Sequence, residues 1–405
     1  MGALPTVHTL KQWKGEPIAG RIMRPVGGLE AEFSVLLDGV PAKPEHLFGD
    51  PRGFITVPLV HRTGRSFQLP NGAAVYFDTG VIEIATPVME LEQGCFGRLA
   101  RSLDDGVAFV RGQLDLWEAQ HGHRVKLQGF STHYNVAVGG GGGGRAAASP
   151  RVKDLAWLLV HIVPAPVMLL AGNKRSTGVG VRPRPRRIEV TADFPPDPNR
   201  LAATGAVIAG IVQAVSRWRN LSLATFARRG IPVPEGFAPR THTSRHGWLA
   251  RFDCYPLNPY ACDTDAQIWM TPDGPASLRQ LARTVFAAFD SSIRRVADPF
   301  SYQLARRIIA GKARSWLDDE DRPASYEDVG RATPSSRPLK RLGLSRYEQV
   351  VLNTMHQKPL VLGNERFTPV RMRGWSRVVF RRQSDGARTV LPLDTLVKHL
   401  HDWAA

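Results

Sequence analysis

Apolar and polar residues alternate along several stretches of the first ninety residues, and this period of two predicts β-strands. The predicted strands cover residues 30–37, 53–60, 73–78 and 81–86. Between residues 92 and 120 the apolar positions recur at helical spacing instead, which predicts one long amphipathic helix. Residues 129–138 return to the strand pattern. The first third of the chain is therefore expected to form a sheet with a helix beside it.

The remaining residues continue this mixture of elements. Helices are predicted over residues 152–170, 202–214, 278–296, 302–316, 346–355 and 393–403, with a strand over 188–192 and a hairpin turn at Ser384-Asp385-Gly386. Six consecutive glycines, Gly139–Gly144, are typical of a loop. A polar segment rich in proline and serine then predicts three parts: a catalytic domain over 1–321, a linker over 322–341, and a small accessory domain over 342–405.

Composition narrows the class of protein. The chain has 405 residues, of which 43% are hydrophobic, so a globular fold is expected rather than disorder. Lysine and arginine exceed the acidic residues by 17, which favours anionic partners such as nucleotides, nucleic acid or an acidic protein. Three cysteines without metal-finger spacing are typical of the reducing cytoplasm. Prolines interrupt the longest apolar stretch, so no membrane partner is expected.

The most informative chemistry lies in the first predicted strand. Glu30 and Glu32 stand two residues apart in an apolar run, and alternation places both side chains on one face. Two like charges on a partly buried face are costly unless a cation lies between them. Carboxylates favour hard cations such as Mg²⁺ or Mn²⁺. This segment therefore predicts a divalent metal site.

Three further segments put metal-capable or catalytic groups on predicted strands. They are Asp78 with Glu83, His133 with Asn135, and Glu189 in the run Arg187-Ile188-Glu189-Val190. Taken in order with Gly28-Leu29-Glu30-Ala31-Glu32, these motifs resemble those of the carboxylate–amine ligase superfamily. That superfamily includes glutamine synthetase, the second class of glutamate–cysteine ligases, and the Pup ligase and depupylase pair. A second segment is similar to one in Pup ligases: a turn at Asn71-Gly72 followed by Asp78, Glu83 and Thr86-Pro87. Thr132-His133-Tyr134-Asn135 is similar to that family's Thr/Ser-His-Glu-Asn, with Tyr134 in place of the glutamate.

The resemblance implies an α+β fold in which a curved, largely antiparallel sheet carries helices on its outer face. It implies an ATP- and Mg²⁺- or Mn²⁺-dependent ligase that joins a carboxylate to an amine through an acyl phosphate, with an acidic small protein or peptide among the substrates. By the same resemblance, the metal ligands are Glu30, Glu32, Glu83, His133 and Glu189. Asp78 is the general base, and Arg182, Arg184, Arg187 and Asn135 bind the nucleotide.

Other interpretations remain open at this point. The same fold with Asp78 as nucleophile or base would hydrolyse an amide. A basic protein whose C-terminal arginines bind nucleic acid is a third function. For single residues, the simpler alternatives are a solvated strand face for Glu30 and Glu32, a turn position for Asp78, and pairing with neighbouring arginines for Glu189.

Overall fold

One large antiparallel sheet organises most of the computed structural model, which describes residues 25–138, 148–176, 178–242, 246–318, 328–331 and 336–404. Its twelve strands are β1 Val26–Leu37, β2 Val40–Ala42, β3 Val60–Thr63, β4 Ser66–Gln68, β5 Ala74–Asp78, β6 Val81–Ala85, β7 Met89–Glu90, β8 Val125–Ala137, β9 Val179–Arg184, β10 Arg187–Asp193, β11 Arg240–His242 and β12 Gly247–Ala250. They lie in the order β11-β12-β9-β10-β8-β1-β6-β5-β4-β3, with β2 and β7 also pairing with β1.

The two faces of this sheet differ in polarity because side chains alternate along each strand. On β1, Leu29, Ala31 and Phe33 are fully buried, whereas Glu30 and Glu32 point to the opposite face. The predicted strands over 30–37, 73–78, 81–86, 129–138 and 188–192 are confirmed, each with shifted ends. A polar face therefore lies opposite the apolar core, as the alternation predicts.

Helices cover the apolar face. The α-helices are α1 Pro44–Phe48, α2 Cys95–His121, α3 Pro150–Leu159, α4 Pro164–Ala171, α5 Pro198–Val215, α6 Leu223–Ala227, α7 Leu278–Val296, α8 Pro299–Ile309, α9 Arg337–Lys340, α10 Arg346–Met355 and α11 Leu393–Leu396. α5 is apolar on nearly all sides, which is typical of a helix enclosed by others. Its Gly205 lets α2 approach closely, since a Cβ there would lie 2.1 Å from a ring carbon of Phe96.

A second, four-stranded antiparallel sheet lies near the C-terminus, formed by β15 Leu360–Leu362, β16 Glu365–Arg373, β17 Arg377–Arg382 and β18 Arg388–Pro392. (A short hairpin of β13 Trp269–Thr271 and β14 Gly274–Ala276 precedes it.) This sheet has its own core, including Tyr347, Phe367, Phe380 and Trp403. A buried ion pair between Arg101 and Glu348, at 2.5 Å, joins α2 to α10. The domain boundaries stay a prediction.

Several predicted elements are wrong, each for a local reason. The strand over 53–60 is instead a 3₁₀ turn (Pro51–Gly53) and a loop, in which Phe54 packs 4.9 Å from Phe48. Phe54 and Ile55 are buried within this loop, and Val57 and Leu59 are partly buried.

The helix over 152–170 divides into α3 and α4, which differ in direction by 61°, because Pro164 begins a new helix. The helix over 302–316 ends at Ile309, and the closing helix ends at Leu396 and continues as a 3₁₀ turn to Asp402. The glycine run 139–144 lies outside the described residues. Within the described ranges, no single helix has the length and apolarity to cross a membrane; the bent pair α3 and α4 meets those criteria only jointly.

Candidate active site

The pairing register of β1 brings the predicted site residues together on the polar face. Glu30 pairs with His133 of β8, and Glu32 pairs with Glu83 of β6 on its other side. Cross-strand partners share a face and lie close enough for their side chains to interact. Residues from three separate motifs are therefore neighbours.

Three of these side chains form a compact group of potential metal ligands. Glu30, Glu83 and His133 each offer one carboxylate oxygen or imidazole nitrogen, and these three atoms lie within 4.8 Å of one another. The His133 Nδ1 is 3.3 Å from Glu30 Oε2. Glu83 and His133 are buried, and Glu30 is half-buried. Two carboxylates and one imidazole suit a hard divalent cation.

Burial and neighbouring charges shift the pKa values of the side chains in this group. Burial, followed by the charge of Glu30, raises the pKa of Glu83 to about 7, although the Tyr76 hydroxyl donates a 2.5 Å hydrogen bond that opposes the shift. Burial also raises the pKa of Tyr76. For His133, burial lowers the pKa, but the hydrogen bond to Glu30 and the charge of Glu32 outweigh it, so the net shift is upward. The pKa of Glu83 is therefore raised mainly by burial, and that of His133 by its neighbouring carboxylates.

Glu32 lies beside this group rather than within it. It accepts a 2.7 Å hydrogen bond from the Ser131 hydroxyl, and its Oε1 is 3.5 Å from His133 Nε2. Glu30 and Glu32 therefore contact opposite nitrogens of one imidazole ring. This arrangement holds His133 in a fixed orientation.

Glu189 has a different environment from the one expected of a metal ligand. Its two carboxylate oxygens each lie 2.8 Å from an arginine Nε, one of Arg182 and one of Arg184. Burial would raise the pKa of Glu189, but the hydrogen bond from Arg184 and the charge of Arg182 lower it overall. The structure does not place Glu189 in the ligand group, because β9 pairs with β10 and sets Arg182 opposite it.

The remaining predicted residues lie around this centre. Arg187 Nε donates a 2.8 Å hydrogen bond to Asn135 Oδ1, and its guanidinium is partly exposed. Asp78 ends β5 and is half-buried, with a 2.8 Å hydrogen bond from the Thr79 hydroxyl. Alternation puts Asp78 on the face of Tyr76, about 7 Å further along the strand. It therefore lies toward the rim of the polar face.

Three residues near the centre were missed by the sequence analysis. Tyr76 binds Glu83, as described above. Arg62 lies between two rings, 4.6 Å from the centroid of Trp375 and 6.0 Å from that of Tyr76. Burial lowers the pKa of Arg62, opposed by the charges of Tyr76, Glu30 and Glu83. Tyr76 shares its strand and face with Asp78, so alternation could have identified it. Arg62 and Trp375 carry no such local signal.

Tyr134 occupies the opposite side of β8 from His133. It is fully buried in the core, with its ring 6.5 Å from that of Phe96. The one position that departs from the Pup ligase motif therefore faces the helices and not the polar face.

Comparison with known proteins finds similarity in structure but not in sequence. No protein-family model matches the sequence, and no curated protein sequence matches it. Among solved structures, the ligase PafA in complex with the prokaryotic ubiquitin-like protein Pup aligns with 93% of this chain and 92% of its own, at 11% identity and a TM-score of 0.52. Apo GmaS aligns with 75% of this chain and 73% of its own, at 14% identity and a TM-score of 0.31.

The large antiparallel sheet with helices on one face, together with the alignment over 93% of the chain, shows that the fold is similar to that of the PafA structure. The similarity extends over nearly the whole length of both chains. The sequence-based resemblance is thus confirmed at the level of the fold.

Proposed function

We propose that this protein is an ATP- and divalent-metal-dependent carboxylate–amine ligase that acts through an acyl phosphate. The observation that carries the proposal is the group of Glu30, Glu83 and His133 on the polar face of a Pup-ligase-like sheet. Its donor set suits Mg²⁺ or Mn²⁺, and burial together with the nearby Glu30 charge raises the pKa of Glu83, a cost that a bound cation would relieve. The residues present therefore fit a divalent metal.

Each neighbouring residue has a role in this proposal. Glu30, Glu83 and His133 hold the metal, which would neutralise phosphate charge during transfer. Glu32 orients His133, and Tyr76 orients Glu83. Glu189, whose oxygens are taken by Arg182 and Arg184, fixes the positions of those arginines. We therefore revise its role from metal ligand to positioning residue.

Nucleotide binding would use the cations around the polar face. Arg187 presents a partly exposed guanidinium beside Asn135, and Arg62 lies on the other side of the centre near Tyr76. Arginine matches phosphate oxygens in a bidentate geometry. The two arginines thus flank the metal group from opposite parts of the sheet, β10 and β3.

The reaction needs activation of both partners. A free carboxylate is a poor acyl donor, so transfer of the γ-phosphoryl group makes it an acyl phosphate, and the amine then displaces phosphate. The attacking amine must lose a proton, and Asp78 at the rim is the proposed acceptor. The PafA structure contains a small protein, Pup, and this chain carries a net charge of +17, so we propose an acidic protein or peptide as the carboxylate substrate.

The direct test is ATP binding by calorimetry in the presence of Mg²⁺ or Mn²⁺. In the double variant Glu30→Gln/Glu83→Gln, affinity should fall more than about tenfold, a loss of about 1.4 kcal/mol. The matched control is Glu235→Gln/Asp273→Asn, which removes two exposed carboxylates outside the large sheet. Equal nucleotide affinity in the two double variants would contradict the metal site.

A second measurement separates the ligase from the amide hydrolase. A ligase forms ADP and phosphate only when both an amine and a carboxylate are supplied, in a one-to-one ratio with the amide. Asp78→Asn should then lower turnover about 10²- to 10⁴-fold while ATP affinity is kept. Amide cleavage without net ATP consumption would favour the hydrolase instead.

A further inference from the structure

The C-terminal sheet, β15–β18, has two faces of opposite character. Phe367, Met372, Val378, Phe380 and Leu391 form its inner face and are buried in the second core. The residues between them on the central strands point outward because side chains alternate. The pairing register confirms which outward positions are neighbours: Arg373 lies opposite Arg377, and Arg381 lies opposite Arg388.

The outward side, here called the arginine face, carries six arginines from three strands. They are Arg366, Arg371, Arg373, Arg377, Arg381 and Arg388. Five of them are exposed, and Arg377 is intermediate. Two acidic residues of this sheet and its turns bind other partners. Glu365 accepts a hydrogen bond from the Ser384 hydroxyl, and Asp385 pairs with Arg382. Positive charge is therefore separated from negative charge across the sheet.

This arrangement is unfavourable in the isolated chain. Like charges directly opposite each other on neighbouring strands are destabilising, and the arginine face has two such pairs. Among the residues that the structure describes, Arg366, Arg371, Arg373, Arg381 and Arg388 have no acidic partner. A polyanion would relieve this repulsion.

The pattern fits the phosphate backbone of a nucleic acid better than an acidic protein. Strands lie about 4.8 Å apart and alternate residues about 7 Å apart, so the arginines form a repeating array rather than a pocket. All six cations are arginine, which binds phosphate in a bidentate manner. The apolar residues on this face, Val361, Val379, Val390 and Pro392, include no large side chain, whereas protein interfaces need large apolar anchors at their centre. Nucleic-acid interfaces are more polar and strongly positive.

We propose that the arginine face binds the phosphate backbone of a nucleic acid without reading its base sequence. The proposal does not rest on the metal group, which lies on the large sheet, although Trp375 in the β16–β17 turn contacts Arg62 beside that group. The test is fluorescence anisotropy with a labelled DNA duplex of about 20 base pairs and the matching single strand, over a range of salt concentrations. The test variant is Arg371→Gln/Arg381→Gln/Arg388→Gln.

The expected result is a loss of affinity of more than about tenfold and a fall in the salt slope of about 0.9 for each duplex phosphate contact removed, so about 2 to 3 in total. The control variant, Arg219→Gln/Arg228→Gln/Arg229→Gln, removes the same charge from exposed arginines around Trp218 and should keep both values. Because the replaced side chains are exposed, circular dichroism should show both variants folded.

Three outcomes would overturn the proposal. The first is an equal loss in both triple variants, which would make binding a property of net charge alone. The second is no binding by the wild type at about 0.15 M salt. The third is displacement of the DNA by polyglutamate at lower charge concentration than by unlabelled DNA, which would identify an acidic protein as the occupant.

Discussion

The protonation of Glu83 predicts how the stability of the metal-free protein depends on pH. Burial and the charge of Glu30 raise its pKa from the ordinary 4.5 to about 7. The folded protein therefore binds this proton more tightly than the unfolded chain does. The stabilisation is complete below about pH 4.5 and is lost as pH rises through about 7. A shift of about 2.5 units corresponds to about 3 kcal/mol. The raised pKa of His133 acts in the same direction.

Urea unfolding in EDTA between about pH 5 and 8 measures this effect. The variant Glu83→Gln keeps a side-chain oxygen for the Tyr76 hydroxyl but has no proton to lose. We expect the wild type to lose about 2.5 kcal/mol more than the variant across this range, with His133 causing the residual slope of the variant. Added Mn²⁺ at about pH 8 should stabilise the wild type much more than the variant. Parallel pH curves for the two proteins would refute the reasoning.

Two further predictions concern packing and the link between the sheets. Gly205→Ala should lower the free energy of unfolding, measured in urea, by about 1–3 kcal/mol, because the new methyl group would overlap the Phe96 ring. Gly112→Ala on α2 should raise it by up to about 1 kcal/mol, because the methyl group there meets open space. Equal effects would contradict the close contact of α2 and α5. Arg101→Met should cost about 3–5 kcal/mol, because it leaves the buried Glu348 carboxylate without a counter-charge. Arg101→Met/Glu348→Leu should recover most of that loss. A double variant as unstable as the single one would show that the charge pair is not the cause.

Local patterns in the sequence predicted the polar face, because alternation is a property of one strand at a time. Glu30 and Glu32 could be assigned to one face from their spacing alone, as could His133 and Asn135. The helix over 92–120 was equally clear, since its apolar period extends over several turns. These elements need no knowledge of distant partners.

Pairing between distant strands could not be predicted in this way. Glu189 lies opposite Arg182 only because β9 pairs with β10, and β9 contains Pro183 among arginines, a composition that does not suggest a strand. Arg62 packs against the ring of Trp375, a residue more than 300 positions later in the sequence, and no local pattern predicts that contact. For Tyr134, alternation alone indicates that its side chain points away from His133, so the departure from the family motif changes the core and not the polar face.

The position of β1 in the large sheet has a consequence for motion. β1 is paired with β8 along nearly its whole length and with β6 around Glu30 and Glu32. Backbone amides of such a central strand exchange their hydrogens with solvent only in large-scale opening, so they should be among the slowest in the molecule. Glu30 and Glu32 are then part of its most persistent structure. Sequence change should be better tolerated in the peripheral strands and loops, whose backbone amides should exchange faster.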